Sequence, residues 1–352
     1  GERAMTNLAD YTKSELREIL MRDYSTPAYR AKQLYDGITA FSSYDEMTTL
    51  PKKLKADLSE KYYDRALAIE KKFVSRDGTI KYLYRLNDGN IIEGALMKQS
   101  YGNTLCVSTQ VGCRMGCAFC ASGIGGLVRN LTAGEILSQV LCVNRDAGGT
   151  ADKRAVTNIV LMGSGEPLDN YEEVTKFLRL VSSPDGLNVS ERNISLSTSG
   201  LVENVRRLAD DGFTVTLTFS LHATTDEYRR SIMPIANKYS IADIIEAAKY
   251  YFEKTGRRVI FEYTMIKGVN INHFDALRLA ELTKGFPSHV NLIPLNPVKE
   301  KNLKGCTREE GERFLRKLTE LGVSASIRKS KGADVGGACG QLRRSYVGAG
   351  KK

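Results

Sequence analysis

The spacing of apolar positions changes period twice along this chain. Residues 6–65 carry apolar side chains at helical spacing, beginning with Leu16, Ile19 and Leu20 over 14–23 behind Ser14, the expected N-cap. Pro27 opens a second expected helix running to Tyr35, and Pro51 a third with Leu54 and Leu58 on one face. From 66 the period shortens to two. Runs at 66–74, 80–86 and 91–97 read as strands divided by Asp77-Gly78 and Asn87-Asp88-Gly89-Asn90, and 104–108 as a further strand. Beyond that point extended and helical patterns alternate. Helices are expected at 132–146, 171–181, 202–211, 241–254, 273–286 and 308–321. Strands are expected at 156–162, 193–197, 214–220, 259–266, 290–294 and 324–328. Thr132 with Glu135 and Thr307 with Glu310 form capping boxes, in which each side chain satisfies a backbone N–H of the other residue.

Six strand-then-helix units predict an α/β fold with a parallel sheet. Their number fits a partial (β/α)6 barrel, in which ligands gather at the C-terminal ends of the strands. The expected division is a helical accessory domain over 1–65, a β extension over 66–104, the barrel over 105–345 and a basic tail over 346–352. Residues 1–4, ahead of Met5, read as a tag remnant.

Composition narrows the function. The chain has 352 residues, 42% of them hydrophobic, enough for a sizeable core. No run of 18 or more apolar residues occurs, so no membrane helix is expected. Seven cysteines, an odd number, fit a reducing cytoplasm better than a secreted disulfide scaffold. The net charge is +10, unevenly spread. Residues 1–65 are neutral, whereas 299–352 hold 14 Lys+Arg against 6 Asp+Glu. A basic tail beside a catalytic domain suits a polyanion such as RNA. A merely solvated basic face is the plainer explanation.

Chemistry concentrates in Cys113-Arg-Met-Gly-Cys117-Ala-Phe-Cys120. Clustered thiolates select iron–sulfur clusters or zinc. Three thiolates hold three irons of a [4Fe–4S] cube and leave the fourth open to a small molecule. A structural zinc would need a fourth ligand, for which Cys106 is the only local candidate. The spacing C-x3-C-x2-C, with Phe119 before the last cysteine, resembles the radical S-adenosylmethionine (SAM) superfamily. There the open iron chelates SAM, and electron transfer cleaves it to a 5′-deoxyadenosyl radical. Gly163-Ser-Gly165-Glu166-Pro167 follows a strand and resembles the loop that holds the amino group of SAM in those enzymes, with Ser164 where relatives carry a bulkier residue. Ser197, Ser220-Leu221-His222 and Asn296 fall at later strand ends, where a ribose or carboxylate could be hydrogen-bonded. A lone buried cysteine is usually structural, the expectation for Cys142 and Cys306.

Seven segments carry a closer match: Thr104–Cys113, Arg129–Thr132, Gly165–Leu168, Leu196–Gly200, Phe219–His222, Asn291–Pro294 and Ala338–Leu342. In this order they resemble the RlmN/Cfr family of RNA adenine methyltransferases over nearly the whole chain, and Pro167 favours RlmN. Gly336, where relatives carry an acidic residue, is a departure. The resemblance implies methylation of adenine C2, an electron-poor carbon with no lone pair to attack SAM. It implies two SAM per turnover, one methylating Cys339 and one giving the radical that activates that methyl. It makes Cys106 the resolving thiol that forms a disulfide with Cys339, and Glu93 the proton acceptor. It implies 23S rRNA and an anticodon-loop tRNA adenosine as substrates. It also implies an electron donor of the flavodoxin or ferredoxin type, no membrane, and a cytoplasmic monomer. The alternatives are a radical SAM enzyme acting on C8 of the same adenosine, a protein or a small molecule, and a zinc- and RNA-binding protein without catalysis.

Overall fold

The computed structural model describes residues 4–295, 303–335 and 341–349. The N-terminal stretch holds β1 (Thr6–Asn7), α1 (Lys13–Tyr24), α2 (Tyr29–Thr39), α3 (Lys52–Ser59) and β2 (Tyr62–Tyr63), with β1 parallel to β2. Thr12, not Ser14, caps α1. Its hydroxyl accepts from the Glu15 N–H at 3.1 Å, and the Glu15 carboxylate accepts from the Thr12 N–H at 2.7 Å. Ser14 already lies inside the first turn and has no orphan donor ahead of it to satisfy. Leu16, Leu20, Leu34, Ile38, Leu54 and Leu58 are buried in one core shared with the barrel helices.

Next come β3 (Leu67–Val74), β4 (Ile80–Leu86), β5 (Ile91–Gln99) and β6 (Gly102–Cys106), an antiparallel meander. The short antiparallel pair β7 (Gln110–Gly112) and β8 (Leu127–Asn130) brackets the cysteine loop. The alternating part then runs α4 (Ala133–Asp146), β9 (Asn158–Leu161), α5 (Tyr171–Ser182), β10 (Ile194–Thr198), α6 (Val202–Asp210) and β11 (Thr216–Ser220). It continues with α7 (Asp226–Ile232), α8 (Ile241–Thr255), β12 (Val259–Met265), α9 (His273–Leu282), β13 (Ser288–Pro294), α10 (Arg308–Glu320), β14 (Ala325–Ile327) and α11 (Gln341–Ala349).

One ten-stranded sheet has the order β14-β13-β12-β11-β10-β9-β6-β5-β4-β3. From β6 to β14 its neighbours are parallel, and the sheet does not close on itself, which makes a partial barrel. The joint is β6, antiparallel to β5 on one side and parallel to β9 on the other. The stretch expected as a β extension is therefore continuous with the barrel sheet. Residue alternation sorts the two faces. Leu196, Leu217, Phe219, Phe261, Tyr263 and Leu292 are fully buried in the helix-covered core. The intervening residues Ser197, Thr218, Ser220, Glu262 and Asn291 take the opposite face. A parallel sheet with both faces covered would normally read apolar throughout. Polar residues on one face mark the side of the sheet turned away from the helix layer.

Several elements depart from the sequence reading, among them the short strands β1, β2, β7 and β8. Expected to reach 286, α9 ends at Leu282, because Gly285 takes φ +87° and Pro287 follows. Two helices were not expected. Seven residues of α7 are too few to show a period, and α11 straddles the expected boundary between the barrel (to 345) and the basic tail (346–352).

Candidate active site

The cysteine loop is held at both ends. Cys113 N–H donates to the Gly126 carbonyl at 3.1 Å, and Ala118 N–H donates to the Ile232 carbonyl at the end of α7 at 2.8 Å. Cys113 is buried, while Cys117 and Cys120 are half-buried. Burial pushes the Cys113 thiol up to about 11, and the charges of Glu166 and Cys120 add to it. Cys117 is pushed up further, by burial first and then by Cys120, Cys113 and Glu166, with Arg229 opposing. Among the described residues no group of three or more His, Cys, Asp or Glu closes around a single ion position.

Next to this loop lies the turn 163–166. Its backbone is stitched to 107–112: Gly163 N–H donates to Val107 O at 3.0 Å, Thr109 N–H to Ser164 O at 2.9 Å, and Glu166 N–H to Gln110 Oε1 at 2.8 Å. A Cβ on Gly163 would sit 2.6 Å from Val107 O, so only glycine allows the approach. Ser164 is buried, with its hydroxyl donating to Gly112 O at 3.3 Å. The Glu166 carboxylate is 4% exposed. It accepts from Thr198 Oγ1 at 2.7 Å, Ser199 N at 2.7 Å and Leu168 N at 3.1 Å. Burial raises its pKa, and the same donors lower it. Sequence reasoning gave Glu166 to a ligand amine. The structure uses it first to tie the end of β9 to the end of β10, leaving about one of its four acceptor positions for a further donor.

The Ser220-Leu221-His222 turn is anchored as firmly. Leu221 and His222 N–H both donate to the Glu262 carbonyl, at 3.0 and 3.2 Å, and His222 takes φ +56°. Its Nδ1 accepts from Thr264 N–H at 3.0 Å, which assigns the ring proton to Nε2. The ring meets Phe119 edge-on at 4.5 Å, joining the cysteine loop to the end of β11. Burial, with Arg229 as a smaller cause, pushes His222 down to about 3, so it is neutral near pH 7.

Two residues at this end were missed by sequence reasoning. Arg229 is fully buried and donates to the carbonyls of Ser199, Ser220 and Leu221 at 2.8, 3.0 and 3.1 Å. Nothing in the sequence marks it. Glu262, 8% exposed, accepts from the Ser197 hydroxyl at 3.4 Å and stands 3.6 Å from Arg328 Nη1. A carboxylate at an alternate position of an apolar strand was a readable signal.

The opposite wall carries Glu93 and Cys106. Ala95 pairs with Cys106, and Glu93 lies two residues before Ala95, so both side chains share one face of the sheet. Glu93 is 2% exposed, with Oε1 3.4 Å from Lys81 Nζ and Oε2 accepting from Arg343 N–H of α11 at 2.9 Å. Cys339 and Asn296 lie outside the described residues.

Comparisons with known proteins identify the family and the fold. The pattern of the Radical SAM superfamily matches residues 107–280. "Probable dual-specificity RNA methyltransferase RlmN" of Clostridium perfringens is 51% identical over 346 residues, covering 97% of this chain and 98% of its own. The chain belongs to the RlmN family of radical SAM methyltransferases. An RlmN protein of Clostridium novyi is 45% identical over 97% of this chain. A crystal structure of a radical SAM methyltransferase from Sphaerobacter thermophilus superposes with a TM-score of 0.90 at 44% identity, covering 96% of this chain and 99% of the other. RlmN membership makes this chain a SAM-dependent methyltransferase, and the radical SAM class implies SAM and an iron–sulfur cluster as cofactors.

Proposed function

We propose that this enzyme methylates C2 of adenosine in RNA, acting on the peptidyl-transferase-centre adenosine of 23S rRNA and on an anticodon-loop adenosine of tRNA. The observation that carries this reading is the shared sheet face of buried Glu93 and Cys106, on the strands that lead into the cysteine loop. The names of the relatives and the net charge of +10 support an RNA substrate.

Cys113, Cys117 and Cys120 would hold a [4Fe–4S] cluster. The donor set fits: these are soft sulfurs on one anchored loop, and burial first, with neighbouring charges second, raises the Cys113 and Cys117 thiols when no metal is bound. With SAM, the bound cluster supplies the hydrogen-abstracting radical that an electron-poor ring carbon demands. Gly165, Glu166 and Ser197 would hold SAM from one side, and Ser220, Leu221, His222 and Asn296 from the other.

The chain's own groups do the rest. Cys339 carries the methyl group to the base and becomes joined to it through a methylene bridge. Glu93 accepts the proton from C2. The Cys106 thiolate attacks the sulfur of Cys339; the S–C bond breaks with its electron pair going to the methylene carbon, which takes a proton to become the methyl of methyladenosine, and a Cys106–Cys339 disulfide remains. The base must leave its stack to reach a barrel lumen, which favours loop RNA. A flavodoxin- or ferredoxin-type donor provides the electron, and the enzyme works as a cytoplasmic monomer.

Cys106→Ala protein provides the test. It should be isolated with RNA covalently attached, because the bridge forms and cannot resolve. Free, fully methylated RNA released by this variant would contradict the reading.

A further inference from the structure

Lys81 is an unusual place for an ammonium group. It lies on β4 and is 5% exposed. Long charged side chains are almost never fully buried unless paired, and its Nζ lies 3.4 Å from Glu93 Oε1. Register shows where the pair sits. Lys81 pairs with Ala95, Ala95 with Cys106, and Cys106 with Val160, so one row crosses four strands. Glu93 is one step along β5 on the same face, diagonal to both Lys81 and Cys106. Lys81 therefore stands in the same wall as the proton acceptor and the resolving thiol.

We propose that Lys81 is the positioning residue for proton transfer, aiming the Glu93 carboxylate at the C2 proton. This rests on the reading of Glu93 as proton acceptor. An ionised carboxylate at this depth is costly unless both oxygens are served. Lys81 serves Oε1, and the Arg343 N–H in the first turn of the nine-residue α11 serves Oε2 at 2.9 Å. The Arg343 guanidinium is itself turned to the backbone, its Nε donating to Ile91 O at 2.5 Å. A lysine suits the task, because its flexible stem and point charge follow the carboxylate without a fixed fork geometry. When the proton moves from C2 to Glu93, no bond to Lys81 forms or breaks. Only the carboxylate's charge is lost.

The test uses reconstituted holoenzyme with SAM, a chemical reductant and an RNA loop containing the adenosine. Three quantities are read: 5′-deoxyadenosine, methyladenosine, and the fraction of RNA covalently attached to protein. Lys81→Met should keep 5′-deoxyadenosine formation within about twofold while methyladenosine falls on the order of a hundredfold and attached RNA accumulates, as expected for a lost general base. Lys81→Arg should recover most of the product, since it restores the charge. Glu93→Gln should accumulate attached RNA in the same way. The proposal is overturned if Lys81→Met turns over like the parent, or if it loses 5′-deoxyadenosine and attached RNA together, or if Lys81→Arg fails to rescue. Should Glu93→Gln itself fail to accumulate attached RNA, the proton-acceptor reading falls first and takes this proposal with it.

Discussion

Side chains at the strand ends are tied into the protein first, and any ligand contact must share them. Glu166 binds three protein donors before any ligand arrives. Replacing it with glutamine sets an NH2 group against one of those donors. Glu166→Gln should cost about 1–3 kcal/mol, read from urea midpoints, and should abolish SAM cleavage as well. His222 makes a pH prediction with a definite sign. The unfolded chain binds a proton near pH 6.5, while the folded ring refuses it down to about pH 3. Stability that is intact above about pH 6.5 is therefore lost as pH falls, at up to about 1.4 kcal/mol per pH unit. A His222→Gln variant should lose less stability than the parent between about pH 7 and about pH 5. Equal losses in the two proteins would contradict the buried neutral ring.

At the scale of elements, each strand of the barrel divides its residues between an apolar face against the helices and a polar face toward the lumen. Phe219 is fully buried and stacks on Phe261 with ring centroids 5.8 Å apart. Phe219→Ala should lower stability by about 3–5 kcal/mol, measured by urea denaturation, because the cavity lies where two strands meet the helix layer. The sequence displays this layer well. Capping boxes at Thr132 and Thr307 stand where the spacing places them. It hides what depends on register. Glu93 and Cys106 are thirteen positions apart in sequence, and only the pairing of Ala95 with Cys106 makes them neighbours. The buried charge of Lys81 reads as an ordinary exposed lysine until β4 is laid beside β5. Arg229 sits on a helix too short to show a period, and its three carbonyl partners come from two other segments. The cysteine loop was legible for the opposite reason, since all three of its thiols lie within eight consecutive residues.

For the whole molecule, the antiparallel meander and the parallel barrel are one sheet, and β6 belongs to both. The wall bearing Lys81, Glu93 and Cys106 thus faces the same lumen as the cysteine loop and the ends of β9 to β12. α11 docks on β5 through Arg343, and Tyr346 OH donates to Glu70 at 2.5 Å. The net charge of +10 predicts that RNA affinity falls steeply with salt. Filter binding at several salt concentrations should give a linear log–log plot, and each phosphate-contacting Lys or Arg removed should reduce its slope by about 1. A salt-independent affinity would contradict an electrostatic RNA contact.

The central claim is that this chain places a methyl group on adenine C2 through Cys339. The most direct measurement is mass spectrometry of digested 23S rRNA from cells lacking the chain, complemented by the parent gene or by Cys339→Ala. The account predicts that 2-methyladenosine disappears in the deletion, returns with the parent and stays absent with Cys339→Ala. Unchanged 2-methyladenosine in the deletion, or full recovery with Cys339→Ala, would contradict it.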